Sequence, residues 1–456
     1  MFRKILVANR GEIAVAIIRA CRDMGISTVA VYSTADRDAY HVQLADEAIC
    51  IGPESSADSY LNGQAILAAA SISGAEAIHP GFGFLSENPA FARMCTKLGI
   101  KFIGPKGETM SLMGDKASAK QAAIEAGVPV VPGSSELPEN VQSAQEIAQE
   151  IGYPVMIKAT AGGGGRGMRI AETAEELPRA YLTARQEARI SFNDDRVYIE
   201  KYIHNPRHVE VQIVADQHGN IIHLGDRDCS IQRRNQKVLE EARAHGLSSK
   251  TREFMYQTTI ALARSVGYEN VGTVEYLVDA NENFYFMEMN TRIQVEHPIS
   301  ELVTATNLLQ EQIKVAAGYE LGYRQNDISF KGHAIECRIN AEDPLYNFRP
   351  NPGKIEGLIL PGGYGVRVDT AIYPGYEIPS YYDSMLAKVI VHAPTREEAI
   401  LRMRRALTEF TVVGVPTNID FHLEILRDPE FIEGKYDINY LNRKMPQILR
   451  ELEKNN

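Results

Sequence analysis

Two glutamates occupy strand-like runs whose separation invites pairing. "VGTVEYLV" and "FYFMEMN" flank the turn-rich "DANEN", the pattern of an antiparallel hairpin. With Val278 opposite Tyr285, Glu275 comes to face Glu288. Like charges directly opposite on a sheet are destabilising unless something positive lies between them. Asn290 shares the face of Glu288 and adds a third oxygen ligand. Two carboxylates and a carboxamide, with no Cys or His, suit a hard metal ion such as Mg²⁺ or Mn²⁺. A merely solvated hairpin is the plainer alternative, and the flanking Val, Phe and Met residues argue against it.

Just beyond, "TRIQVEHP" places Arg292, Gln294 and Glu296 at i, i+2 and i+4. If the segment stays extended, all three point one way, and Pro298 biases His297 away from helix. "RRNQKV" supplies Lys237, and "AIECRIN" carries Arg338 on an expected strand. Any one of these is ordinarily surface charge. Beside a metal and a phosphate loop they describe an anion site with Glu296 as candidate base. "KATAGGGGRGM" offers that loop: five glycines fill Gly162–Gly167, interrupted only by Arg166, with Lys158 close by. A flexible linker is the competing reading, but such linkers are longer and Gly/Ser-rich. Bare backbone that lays N–H groups on phosphate explains the cost of so much glycine better.

The elements that must hold these residues can be sketched from periodicity. "KILVAN", "GEIAVAIIRACRDM" and "STVAVYS" read as strand, helix, strand, hence a parallel α/β unit. Its first turn has only Gly11, which argues against a dinucleotide site despite Asp36 as a possible ribose acid. "HPGFGFLSEN" reads as a turn containing Glu87, and "GIKFIGP" closes the first domain near residue 104. A helical stretch around "MGDKASAKQAAIEAG" leads into a second unit, where "YPVMIKA" and "GMRIAE" bracket the glycines as strands. Strand–loop–strand order separates this loop from Walker A and Rossmann turns, which run from strand into helix. It suits a flap over phosphates. Thr173 and Glu176 then form a TxxE capping box starting a helix into "AYLTARQEAR", and "VYIEKYI" (197–203) is a further strand. The expected division is residues 1–104, a helical connector 105–130, a lid 131–203, and a third domain 204–447.

A net charge of −11 argues against nucleic acid or an anionic membrane as the main partner, yet permits a small anion in a locally basic cleft. The five cysteines are scattered and form no CxxC, which speaks against a disulfide framework or a structural zinc. Asn9, Arg10 and Glu12 interrupt any signal-peptide core, and no apolar run approaches a membrane span. A cytoplasmic protein is expected.

Taken in order, "ANRGEIA", "HPGFGFLSEN", "KATAGGGGRGM", "RHVEVQI", "RDCSIQRRNQK", "EMNTRIQVEHP", "ECRINAEDP" and "YYDSMLAKVI" resemble biotin carboxylase of the ATP-grasp superfamily, nearly end to end. The resemblance implies an N-terminal Rossmann-like parallel α/β domain, a small mobile lid and a C-terminal α+β domain. It implies ATP at Lys116, Lys158, Gly164, Gly165, Glu200, Lys201, Ile203, His208, Gln232 and Asn235. Mg²⁺ or Mn²⁺ would sit on Glu275, Glu288 and Asn290. Bicarbonate would lie between Lys237, Arg292, Gln294 and the Val295 backbone, with Glu296 taking its proton. Arg338 would hold bicarbonate or carboxyphosphate and stabilise the enolate of biotin. In that family ATP and bicarbonate give carboxyphosphate and ADP, and biotin captures the CO₂ released. No AMKM-like biotinyl-lysine motif appears, so the expected partners are a separate biotin carboxyl carrier protein and carboxyltransferase subunits, in a homodimeric ligase of acetyl-CoA carboxylase and fatty-acid synthesis. A pyruvate or other acyl-CoA carboxylase is the neighbouring alternative. Another ATP-grasp ligase would lack the Arg292, Gln294, Glu296 and Arg338 set; a non-catalytic regulator would lack a ligand or the base. Asn235 stands where a histidine is associated with the family, Arg243 and His245 where a proline-containing turn is expected, and Ala16 where many relatives carry arginine near the dimer surface.

Overall fold

The structure, a computed structural model, describes residues 1–134, 137–160, 168–192 and 194–455. These fall into two compact units, the first holding residues 1–128, 207–276 and the chain from Met287, the second 129–206 and 277–286.

In the first unit, β1 (Lys4–Val7), α1 (Gly11–Asp23) and β2 (Ser27–Ser33) form the expected strand–helix–strand, with β1 and β2 parallel. With β3 (Glu47–Gly52), β4 (Ala77–His79) and β5 (Lys101–Phe102) they make a parallel sheet of order β3-β2-β1-β4-β5. This is the doubly wound order. Ile5, Val7, Ile13, Ile17 and Ile18 share one core with Val214, Val271 and Ile293, which anchors this sheet against the site-bearing part of the same unit. The connector helix α2 (Lys116–Glu125) starts at Asp115, whose side chain accepts the Ser118 N–H at 2.9 Å.

The second unit contains α3 (Val141–Ile151), β6 (Val155–Ala159), β7 (Met168–Ala171), α4 (Leu177–Phe192) and β8 (Val197–Lys201). Strand β6 lies between β7 and β8, antiparallel to both. The two predicted flanking strands are therefore present and paired, with Lys158 opposite Met168. Gly164 and Gly165, and the phosphate loop with them, lie outside the described residues. Two expectations need correction. No helix starts at Thr173: α4 begins at Leu177, and Glu176 Oε2 accepts the backbone N–H of Glu172 at 2.9 Å instead. Pro178 accounts for the later start, since proline fits a helix's first turn where its missing N–H would be unpaired anyway. Strand β8 stops at Lys201, so Ile203 lies beyond it.

An eight-stranded sheet of order β13-β12-β9-β10-β11-β14-β16-β15 carries the chemistry. Its members are β9 (Arg207–Ala215), β10 (Ile221–Arg233), β11 (Gln236–Ala242), β12 (Asn270–Val278), β13 (Phe284–Asn290), β14 (His333–Asn340), β15 (Val366–Thr370) and β16 (Met385–Ala393). Arg234 (φ 51°) and Asn235 (φ 64°) make the two-residue turn between β10 and β11. Positive φ at both positions matches the twist of a tight hairpin, and asparagine tolerates it better than most side chains. One face of this sheet meets α5 (His297–Thr304); the core formed by Ile335, Cys337, Val389 and Val391 also takes in Phe421 and Ile425 of α6 (Ile419–Arg427). Among the described residues no helix is long and apolar enough to cross a membrane.

Candidate active site

Strand alternation assembles the centre. On β9, His208, Glu210 and Gln212 share a face, all buried. Gln232 and Lys237 are direct cross-strand partners across the β10–β11 turn. The Lys237 ammonium is thereby delivered among carboxylates. It donates to Glu210 Oε2 at 2.6 Å, Glu296 Oε1 at 2.7 Å, Glu275 Oε1 at 2.8 Å and Gln294 Oε1 at 3.3 Å. Glu275 also accepts from Asn290 Nδ2 and Gln294 Nε2, both at 2.9 Å, and its other oxygen lies 3.2 Å from His208 Nε2. Gln232 Nε2 is 3.1 Å from His208 Nδ1 and donates to the Cys229 carbonyl.

Arg338, on the predicted strand, divides its guanidinium between Glu240 (Nε to Oε1, 2.6 Å) and Glu296 (Nη2 to Oε2, 2.9 Å). Glu296 is thus held on one oxygen by Lys237 and on the other by Arg338. Arg292 reaches Asn290 Oδ1 at 2.8 Å and Glu87 Oε2 at 2.9 Å. The segment carrying Arg292, Gln294 and Glu296 is not a strand, yet the three residues join one continuous polar chain. His297, expected to be non-helical, is the first residue of α5. Proline in a first turn keeps the helix and loses no hydrogen bond. Glu296 caps that helix at φ −82°, ψ 10°, a sparsely populated backbone region in which many active-site residues sit.

Charge explains the protonation states. Burial would raise the Glu296 carboxyl, but Lys237, with Arg338 and Arg227, holds it below its ordinary value against the opposing charge of Glu210. Glu275 is held well below in the same way by Lys237 and His208. Burial works against charging His208, yet Glu275 and Glu210 raise it to about 9. Glu288 behaves differently. Desolvation, then the charge of Glu275, raises its carboxyl, with Lys116 opposing. Glu288 is exposed, and among the described residues its carboxylate makes no hydrogen bond or ion pair.

The remaining predicted residues are distributed as follows. Lys116 opens α2 and is exposed. In the second unit, Lys158 Nζ donates to Glu200 Oε2 at 2.7 Å, while Lys201 Nζ is spent on the carbonyls of Gly152 and Tyr153. The Val295 carbonyl accepts from Lys388 Nζ at 2.8 Å. Several partners escaped the sequence. Glu87 accepts from Thr291 N–H at 3.0 Å as well as from Arg292. Arg227, fully buried, ties Glu210 (2.5 Å), Gln212 (2.6 Å) and Ser300 (3.0 Å) together. Glu240 supports Arg338. For Glu210 a signal existed: a charge alternating with His208 and Gln212 inside the valine-rich "RHVEVQI".

Comparison with known proteins identifies the family. Residues 1–110 match the biotin carboxylase N-terminal domain, 115–324 the carbamoyl-phosphate synthase L chain ATP-binding domain, and 336–443 the biotin carboxylase C-terminal domain. Biotin carboxylase 1 of Bacillus subtilis (strain 168) is 57% identical over 442 residues, covering 97% of this chain and 98% of the relative. The biotin carboxylase domain dimer of Hydrogenobacter thermophilus 2-oxoglutarate carboxylase, in complex with MgADP, ADP and bicarbonate, is 50% identical with a TM-score of 0.89, covering 98% and 99% of the two chains. The biotin carboxylase subunit of a pyruvate carboxylase is 51% identical, with a TM-score of 0.90 over 98% and 99%. The chain belongs to the biotin carboxylase family, and is an ATP-dependent ligase that carboxylates biotin with ATP and Mg²⁺ as cofactors.

Proposed function

We propose that the chain carboxylates biotin on a separate biotin carboxyl carrier protein, through carboxyphosphate, as the first half-reaction of an acetyl-CoA carboxylase. The observation that carries the chemistry is Glu296 clamped between Lys237 and Arg338. Ionised at neutral pH, Glu296 is ready to accept a proton. A bicarbonate oxygen that draws Lys237 and Arg338 towards itself removes the charges that keep Glu296 acidic, and so raises its basicity when substrate arrives. Arg292, tethered by Glu87 and Asn290, and Gln294 supply the remaining bicarbonate donors. Arg338, permanently charged, then faces the oxyanion of the biotin enolate.

The metal assignment to Glu275, Glu288 and Asn290 fits on charge: Glu288 is raised by its neighbour's charge, and the donors are oxygens, which suit Mg²⁺. Bound there, Mg²⁺ neutralises charge at transferring phosphoryl oxygens. Lys116, Lys158, Gly164, Gly165, Glu200, Lys201, Ile203, His208, Gln232 and Asn235 are assigned to ATP. The four-part division at 104, 130 and 203 remains our reading of the domains, and a cytoplasmic homodimer that works with carboxyltransferase subunits our reading of its setting. The likeness to a pyruvate carboxylase subunit favours membership of that complex as the second reading. A different ligase or a regulator is disfavoured because every residue expected of the bicarbonate site is present and clustered.

The test is ATP cleavage with Mg²⁺ and bicarbonate. ADP and phosphate should form faster when free biotin is added. Cleavage indifferent to both bicarbonate and biotin would replace this reading with another ligase. Adding carrier and carboxyltransferase of an acetyl-CoA carboxylase should then yield malonyl-CoA; product only with pyruvate carboxylase components favours the second reading.

A further inference from the structure

Two of the motifs quoted for the resemblance, "ANRGEIA" and "YYDSMLAKVI", supply none of the predicted site residues, yet they meet behind the centre. Glu12 is the second residue of α1 and Lys388 lies in β16; both are buried, Lys388 completely. Lys388 Nζ is 3.3 Å from Glu12 Oε2 and 3.9 Å from Asp369 Oδ2, and it donates to the Val295 carbonyl at 2.8 Å. Glu336 of β14, Arg367 of β15 and His297 of α5 also interact with its charge, and Arg338 of β14 lies directly opposite it. Removing an ammonium from water is costly, and hydrophobic residues of similar volume often fill such positions with no loss of stability. Packing alone gives no reason for a lysine here.

The carbonyl it grips gives one. Val295 directly precedes Glu296. Because the peptide is planar, gripping the carbonyl orients the plane that ends at the Glu296 Cα, and together with φ −82° at Glu296 that plane sets the direction in which its side chain leaves the chain. Arg338 is the cross-strand partner of Lys388, and Asp369 is its partner on the other side. One strand pair therefore holds Glu296 twice: Arg338 grips the carboxylate, and Lys388 grips the peptide before it.

We propose that Lys388, anchored by Glu12, is a positioning residue for bicarbonate activation: its ammonium sets the Val295–Glu296 peptide so that the Glu296 carboxylate and the Val295 backbone meet bicarbonate in one geometry. This rests on the reading of Glu296 as the base. Burial already raises the Glu12 carboxyl to about 7 against the opposing charge of Lys388, and Lys388→Met alone would leave that buried carboxyl without its counter-charge, so the working variant is Glu12→Gln with Lys388→Met, which replaces both members of the pair together. Its ATP isotherm should match the wild type. Its bicarbonate KM should rise about tenfold, and its kcat should fall by up to about a hundredfold, the scale of a ~1 Å misplacement. Lys388→Arg, with Glu12 retained, should recover part of the loss. A double variant with wild-type unfolding midpoint and wild-type bicarbonate kinetics overturns the proposal, and so does an equal rise in KM for ATP and bicarbonate. Glu296→Gln run alongside separates the failures. If it keeps bicarbonate-dependent cleavage, the reading of the base falls and this inference with it. If it is inactive beside a normal double variant, the inference alone falls.

Discussion

An ammonium surrounded by three carboxylates keeps its proton. Burial would depress Lys237, but Glu210, Glu296 and Glu275 raise it well above its ordinary value, so it serves as fixed charge and leaves base chemistry to a carboxylate. Glu288 is the opposite case, a carboxyl raised by desolvation and by Glu275 and lacking a partner among the described residues. Glu288→Gln relieves repulsion, so the nucleotide-free fold should be unharmed, while ATP cleavage falls by about a hundredfold or more through lost charge neutralisation. Rates titrated against Mg²⁺ check this; unchanged turnover at limiting Mg²⁺ would remove Glu288 from the metal. Glu275, Glu288, Lys237, Gln294, Glu296 and Arg338 were legible because their types are costly in apolar strands and their chemistries complement one another. Glu87 was not. It lies 205 positions from Arg292, and no local spacing reveals a contact made only by tertiary folding. Lys388 and Glu12 were hidden for the same reason, each reading as one charge in an otherwise ordinary element.

Register converts these single residues into a device. On β11, β14 and β16 the pairs Glu240–Glu336 and Arg338–Lys388 are directly opposite, so charges from three strands far apart in sequence share one face. The strands themselves were readable from alternation; their order was not, because β12 and β13 sit at one edge and β14 to β16 enter from the end of the chain. The errors at His297 and Thr173 share one cause. Local preference sets where a helix can begin, and proline at the first turn chose the start in both cases. Behind β14, α6 adds a pH-sensitive support. His422 is fully buried and donates from Nε2 to the Arg338 carbonyl at 2.8 Å. Burial, opposed by that hydrogen bond, lowers it from 6.5 to about 4. The folded state therefore binds its proton later than the unfolded chain. Its contribution is whole above pH 6.5 and is lost as pH falls through about 4. His422→Gln keeps a donor without a titrating ring. Between pH 7 and pH 4 the wild type should lose about 3 kcal/mol more stability than the variant. Urea unfolding at both pH values measures it, and parallel losses would rule the ring out as the titrating support.

Over the whole chain, a net charge of −11 gives ATP and bicarbonate no long-range attraction, and beyond the screening length of roughly 10 Å the field of the chain is largely damped. Affinity must therefore come from donors placed at short range, and the first unit provides them with Lys237, Arg292 and Arg338. In the second unit Lys158 is already paired with Glu200, and the glycine stretch offers by composition backbone N–H groups and the Arg166 side chain as additional donors. Strands β6 and β7, which flank the glycine stretch in sequence, pair antiparallel from Val155–Ala171 to Lys158–Met168. If backbone N–H groups of the glycine stretch contact phosphate oxygens, a branched side chain at Gly165 obstructs that approach. Losing one charge-assisted hydrogen bond costs about 1.5–3 kcal/mol, so Gly165→Val should raise the KM for ATP by roughly tenfold to a hundredfold and lower kcat. A glycine contributes no side chain to the core of Ala148, Val155, Ile157, Tyr181 and Ile199 that stabilises this unit. The nucleotide-free unfolding midpoint should therefore stay at its wild-type value. Steady-state kinetics together with thermal unfolding decide the matter. Wild-type kinetics would show that the glycines do not serve phosphate, and a lowered midpoint without nucleotide would make them a structural turn.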